Sequence, residues 1–147
     1  MDKKYGRHII GLGHTIKRYI DNSLSLHGLT GQQARVLRVI YENSLSGDVY
    51  QKEIERYFNV RRSTVTQILQ VLENLNYIER RSSSKDARSK VIVITEKGIE
   101  ASQYGKEIIE NVEETIAETL TSEELEFYIN MTEKLKSKFL ERENSYD

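Results

Sequence analysis

From Asn59 through Leu72 the chain carries no carboxylate, although Asp and Glu account for 23 of its 147 residues. The same stretch holds Arg61, Arg62, Ser63, Thr64, Thr66, Gln67 and Gln70. A helical face meant only for water would normally mix in Glu. This set instead combines fixed cations with neutral donors and acceptors, which suits phosphate oxygens and the base edges of a DNA major groove. We expect Arg61, Arg62 and Ser63 to hold phosphates, and Thr64, Thr66, Gln67 and Gln70 to read bases. Further along, Ser82-Ser83-Ser84-Lys85-Asp86-Ala87-Arg88-Ser89-Lys90 is polar and basic. It is too polar to bury and should project as a hairpin tip. Lys85, Arg88 and Lys90 would straddle the sugar-phosphate backbone, with Arg88 in a narrow minor groove. Asp86 cannot face phosphate comfortably, and its expected role is to orient Arg88 by ion pairing. The plain alternative to both readings is a solvated helix and a surface hairpin with incidental charge.

The apolar spacing shows what must position these side chains. Ile54 and Phe58 lie one helical turn apart. Val65, Ile68, Leu69 and Leu72 repeat at three and four and predict a second amphipathic helix. Only Asn59-Val60-Arg61-Arg62 separates the two, so the bend is tight, and Asn59 is its residue most tolerant of positive φ. Two short helices joined this way describe a helix-turn-helix. Arg61 stands at the cap position of the second helix, with Ser63 as an alternative cap. Asn76 should end that helix in place of a glycine. Tyr77–Arg81 and the β-branched Val91–Thr95 then read as two strands around the charged tip, which makes the hairpin a wing.

Ile54 through Val60, Ser63-Thr64-Val65-Thr66, Leu72-Glu73 and Tyr77-Ile78-Glu79-Arg80 together resemble the winged helix of the MarR (multiple antibiotic resistance regulator) family. Asp86-Ala87-Arg88 followed by Ile94-Thr95-Glu96-Lys97-Gly98 is similar to that family's wing signature. The resemblance covers nearly the whole chain. It implies a homodimeric bacterial or archaeal transcriptional regulator, often released from its operator by a small ligand. It also implies a small aromatic or amphipathic effector, with His14 or Arg18 lining the ligand cleft.

Composition sets the outer bounds. The formal net charge is −1, which alone argues against nucleic-acid binding. Its distribution reverses that argument: residues 1–55 carry +2, residues 56–97 carry +5 and residues 98–147 carry −8. A basic middle with an acidic tail orients a protein that meets DNA through one face. With no Cys, disulfides and thiolate zinc sites are excluded. The N-terminus lacks the apolar core of a signal peptide and no apolar run is long enough for a membrane span, so a cytoplasmic location is expected.

The flanks read as helices. Ile9, Leu12, Gly13, Ile16, Ile20 and Leu24 predict a first helix ending near His27-Gly28. Thr30 and Gln33 form a capping box for a second, whose buried face is Ala34, Leu37, Ile40 and Tyr41. Val49-Tyr50 is a candidate third strand of the wing sheet. Thr95 caps a long helix striped by Ala101, Tyr104, Ile108, Val112, Ile116 and Leu120. Thr121 and Glu124 restart the chain as a last helix, with fraying expected from Glu141 onward. The expected fold is mainly α (α+β): a winged helix-turn-helix lobe over about 30–95 (helix-turn-helix 51–76, wing 77–95), flanked by dimerisation helices over 5–28 and 96–143.

No phosphate loop, nucleophile set or metal-ligand spacing is present, so no enzyme activity and no cofactor are expected. The expected function is sequence-specific binding of double-stranded DNA by a homodimer at a near-palindromic operator, as a ligand-responsive repressor. The rival is a winged-helix protein–protein adaptor that does not bind DNA.

Overall fold

In a computed structural model, which describes residues 3–85 and 88–145, the order of elements follows the apolar spacing. Helix α1 (Tyr5–Leu24) leads through a 3-10 turn at Ser25–His27 to α2 (Gly31–Ser44). Strand β1 (Val49–Tyr50), α3 (Gln51–Phe58), α4 (Arg62–Asn74), β2 (Ile78–Ser82) and β3 (Lys90–Ile94) form the winged unit. Helices α5 (Glu96–Thr119) and α6 (Ser122–Glu143) follow. The wing strands start and stop one residue from the expected places, and β1 joins them. The sheet order is β1-β3-β2, antiparallel throughout, with Val49 opposite Ile92 and Ile78 opposite Ile94. No helix among the described residues is long and apolar enough to cross a membrane.

The chain ends of the two helix-turn-helix helices have a common chemistry. Asn59 and Asn76 both adopt left-handed backbone, at φ 50° and 59°. At the first, Val60 N–H donates to Glu55 O and Asn59 N–H to Arg56 O. At the second, Tyr77 N–H donates to Leu72 O and Asn76 N–H to Glu73 O. Each is the paired closure that normally takes glycine, and asparagine is the side chain that tolerates it best.

The structure divides into two compact units, Met1–Ile109 and Glu110–Asp147, with the boundary inside α5. In the first, α2 supplies Ala34, Val36, Leu37, Val39 and Ile40 to the core, where they meet Ile54 of α3, Val65, Leu69 and Leu72 of α4, and Ile78 and Ile92 of the sheet. The α1–α2 corner is locked electrostatically. Asp21 accepts the Gly31 N–H at 2.7 Å and an ion pair from Lys17 at 2.6 Å. The Lys17 ammonium and that N–H hold the Asp21 carboxyl below its ordinary value. The Thr30–Gln33 capping box forms as expected.

The second unit contains the end of α5 and α6. The Thr121–Glu124 capping box opens α6: Glu124 N–H donates to Thr121 Oγ1 and Thr121 N–H to Glu124 Oε2. The helix persists to Glu143, past the expected fraying point, with Lys138 paired to Glu141 at 2.9 Å. Its apolar residues Phe127, Tyr128, Ile129, Met131, Leu135 and Phe139 are exposed in the single chain.

The junction between wing and α5 rests on Gly98. Thr95 Oγ1 accepts the Gly98 N–H at 3.0 Å and caps the helix. A Cβ at residue 98 would fall inside contact distance of the Tyr77 carbonyl, a backbone atom that cannot step aside. Gly98→Ala should therefore destabilise the protein by about 3 kcal/mol, read as a fall in denaturant midpoint at unchanged slope.

Candidate nucleic-acid interface

Burying Ile54, Val65, Ile68, Leu69 and Leu72 turns the other side of α4 outward. Arg61, Arg62, Ser63, Thr66, Gln67 and Gln70 are exposed and Thr64 is half-buried. The helix starts at Arg62, with Arg61 in the cap position and no side-chain cap bond. Ser63 therefore lies inside the first turn. The opening N–H groups and the positive end of the helix dipole stand beside two guanidinium side chains.

Tyr50 and Ser83 close the base of the wing. The Tyr50 hydroxyl lies 3.2 Å from Ser83 Oγ, Ser83 N–H donates to Ser89 O, and Lys85 N–H donates to Ser83 Oγ. Lys85, Arg88 and Lys90 are exposed. Asp86, expected to orient Arg88, lies outside the described residues, as does Ala87.

A cleft of about 440 Å³ opens between α3, α4 and the wing. Arg62 from α4 and Arg88 and Lys90 from the wing line it, so α4 and the hairpin share one side of the molecule. Lys52 and Arg80 line it too, and Glu55 is its one carboxylate among the described residues. Such a concentration of positive charge between low-dielectric walls attracts a polyanion.

Two of these cations, Lys52 and Arg80, were not anticipated. Strand alternation carries the signal for Arg80: it shares a face with the buried Ile78, so it must lie under α4 and not on the open side of the sheet. Arg80 Nε donates to Glu73 at 2.6 Å, and its Nη2 reaches Gln70 Oε1 at 3.4 Å. Gln70 Nε2 donates to Asn74 Oδ1 at 3.0 Å. Gln70 thus has both ends of its amide engaged, whereas Thr66 is held by Gln51. Gln51 Nε2 donates to Thr66 Oγ1 at 2.9 Å, and Thr66 Oγ1 donates to Arg62 O at 2.9 Å. His14 and Arg18 are exposed, one turn apart on α1, and line neither this cleft nor the smaller one beside β2.

Known proteins share this fold. The model of the MarR family matches residues 27–89. The crystal structure of a complex of S. aureus MepR with DNA is similar, with a TM-score of 0.78 and 27% identity over 92% of this chain and 99% of that one. MepR itself, a transcription regulator of the S. aureus multidrug efflux pump MepA, gives a TM-score of 0.73 and 26% identity over 91% and 98% of the two chains. A putative MarR family transcriptional regulator from Clostridium acetobutylicum gives 0.70 and 32% identity over 93% and 99%.

The Glu73–Arg80 pair joins α4 to β2 and makes the stability of the fold depend on pH. The Arg80 guanidinium holds the Glu73 carboxyl below its ordinary value of 4.5. A depressed carboxylate stabilises the fold above its unfolded pKa and loses that contribution as pH falls through the folded one. Glu73→Gln should lower the denaturation midpoint at pH 7, and its difference from wild type should shrink steadily below pH 4.5. A difference that stays constant across that range would mean the ion pair contributes nothing.

Proposed function

This chain belongs to the MarR family of transcriptional regulators, and on that premise we propose that it binds double-stranded DNA as a homodimer and represses from a near-palindromic operator. The observation that carries the reading is the shared cleft: Arg62 at the start of α4 and Arg88 and Lys90 of the wing lie on one side. That geometry suits a helix in the major groove with a hairpin over the adjoining backbone. Thr64, Thr66, Gln67 and Gln70 read base edges. Arg61, Arg62, Ser63 and the uncapped N–H groups of α4 take phosphates, since an anion completes a helix start that no side chain caps. Lys85 and Lys90 contact the backbone and Arg88 enters the minor groove, with Asp86 holding it in line.

The dimer follows from burial. Tyr5, Ile9 and Leu12 on α1 and Tyr128, Met131, Leu135 and Phe139 on α6 form apolar stripes at helical spacing, and all are exposed in one chain. Their burial against a second copy would be worth about 25 cal/mol per Å². A twofold partner sets two recognition helices about one DNA turn apart, hence the near-palindrome. A small aromatic or amphipathic effector meeting His14 or Arg18 on α1 would act by changing that spacing.

Arg88→Ala should weaken binding to every duplex and reduce the salt slope by about one per wing, whereas Gln67→Ala should change base preference. A titration of affinity against salt checks both, and a flat wild-type titration would favour the adaptor reading. Leu135→Glu should convert the dimer to monomer in sedimentation and lower affinity for a palindromic site at least tenfold, by roughly the contribution of one half-site.

A further inference from the structure

Among the polar side chains that line the cleft, Gln51 reaches across from α3 to a hydroxyl on α4. Gln51 opens α3, where Glu53 accepts the Tyr50 N–H at 2.8 Å and starts the helix. Its amide nitrogen is surrounded by three acceptors: Thr66 Oγ1 at 2.9 Å, Glu55 Oε1 at 3.3 Å and Arg62 O at 3.4 Å. A carboxylate and a carbonyl accept only, so the nitrogen, and not the oxygen, of the amide must face them.

That orientation settles what the Thr66 hydroxyl can do. It has one hydrogen, and this goes to Arg62 O at 2.9 Å. One of its two lone pairs accepts from Gln51. One lone pair and the γ-methyl remain for a ligand, and no donor remains. Thr66 is nevertheless exposed on the face of α4 that carries Gln67 and Gln70.

We propose that Gln51 is a positioning residue that sets base preference through Thr66, restricting it to partners that offer a methyl or an amino hydrogen. In the major groove these are thymine, through its methyl, and adenine or cytosine, through their amino groups. Guanine presents acceptors only on that edge and is disfavoured at the position Thr66 meets. The proposal rests on the reading of α4 as the helix that enters the groove. It goes beyond that reading by naming a residue outside the helix and the sign of the selection.

Selection from random duplexes, with wild type and with Gln51→Leu, Thr66→Val and the double variant, tests it. Wild type should exclude guanine at one position of each half-site. Gln51→Leu removes the donor that holds the Thr66 rotamer, so that χ1 rotation can turn the hydroxyl from Arg62 O toward a base and let it donate, and should relax that exclusion by about fivefold or more at that position alone. Thr66→Val should change preference at the same position, and adding Gln51→Leu to it should change nothing further. Equal loss of affinity for all sequences in Gln51→Leu would mean a purely structural role and would overturn the proposal, as would a change at a different position from Thr66→Val. If Thr66→Val shifts preference and Gln51→Leu does not, Gln51 has no such part while α4 remains the reading helix. If wild type enriches no sequence at all, it is the reading of α4 itself that fails.

Discussion

Tyr77 is where the parts of the winged unit are tied together. Its N–H donates to Leu72 O and closes α4, its carbonyl accepts the Thr95 N–H at 3.0 Å, and its hydroxyl donates to His27 O at 2.6 Å. The ring is buried, with the Lys97 ammonium 5.1 Å above its centre. Burial also pushes its phenol pKa up. One residue thereby fixes the end of α4, the approach to β2, the start of α5 and the corner before α2. The direction in which the wing leaves α4 is set here, because the backbone on both sides of Tyr77 is already bonded.

The polar side of the unit depends on that fixed angle. Once β2 leaves Tyr77, strand alternation carries Arg80 under α4, where Glu73 and Gln70 receive it. Across the helix, Gln51 receives Thr66. Two of the four expected base readers are therefore held by neighbours from other elements. Holding a side chain before it meets a ligand lowers the entropy lost on binding and narrows what it accepts, which favours specificity over raw affinity. On the proposed reading, non-specific attraction would come instead from the cleft cations and fall with salt.

Much of this was legible along the chain because it depends on local physics. The three-and-four spacing of Val65, Ile68, Leu69 and Leu72 specifies a helix and its buried face wherever that helix lies. Asn59 and Asn76 marked the two helix ends because few other residues tolerate a left-handed backbone. Thr30–Gln33 and Thr121–Glu124 marked helix starts because each pair bonds within one turn. The absence of carboxylates between Asn59 and Leu72 pointed to an anionic partner without any coordinates.

Tertiary structure decided what depends on residues far apart in the chain. No local rule brings Gln51 to Thr66, Arg80 to Gln70, or the Tyr77 hydroxyl to a carbonyl 50 residues away. Nor could spacing show that Gly98 is required by the carbonyl of Tyr77, at the entry to β2. Helix type, caps and charge pattern are properties of a few neighbouring residues, so sequence alone determined them. Which hydroxyl still has a lone pair to offer, and which cation already has a carboxylate, depends on distances of 2.6 to 3.4 Å between elements, and only the packed chain sets those.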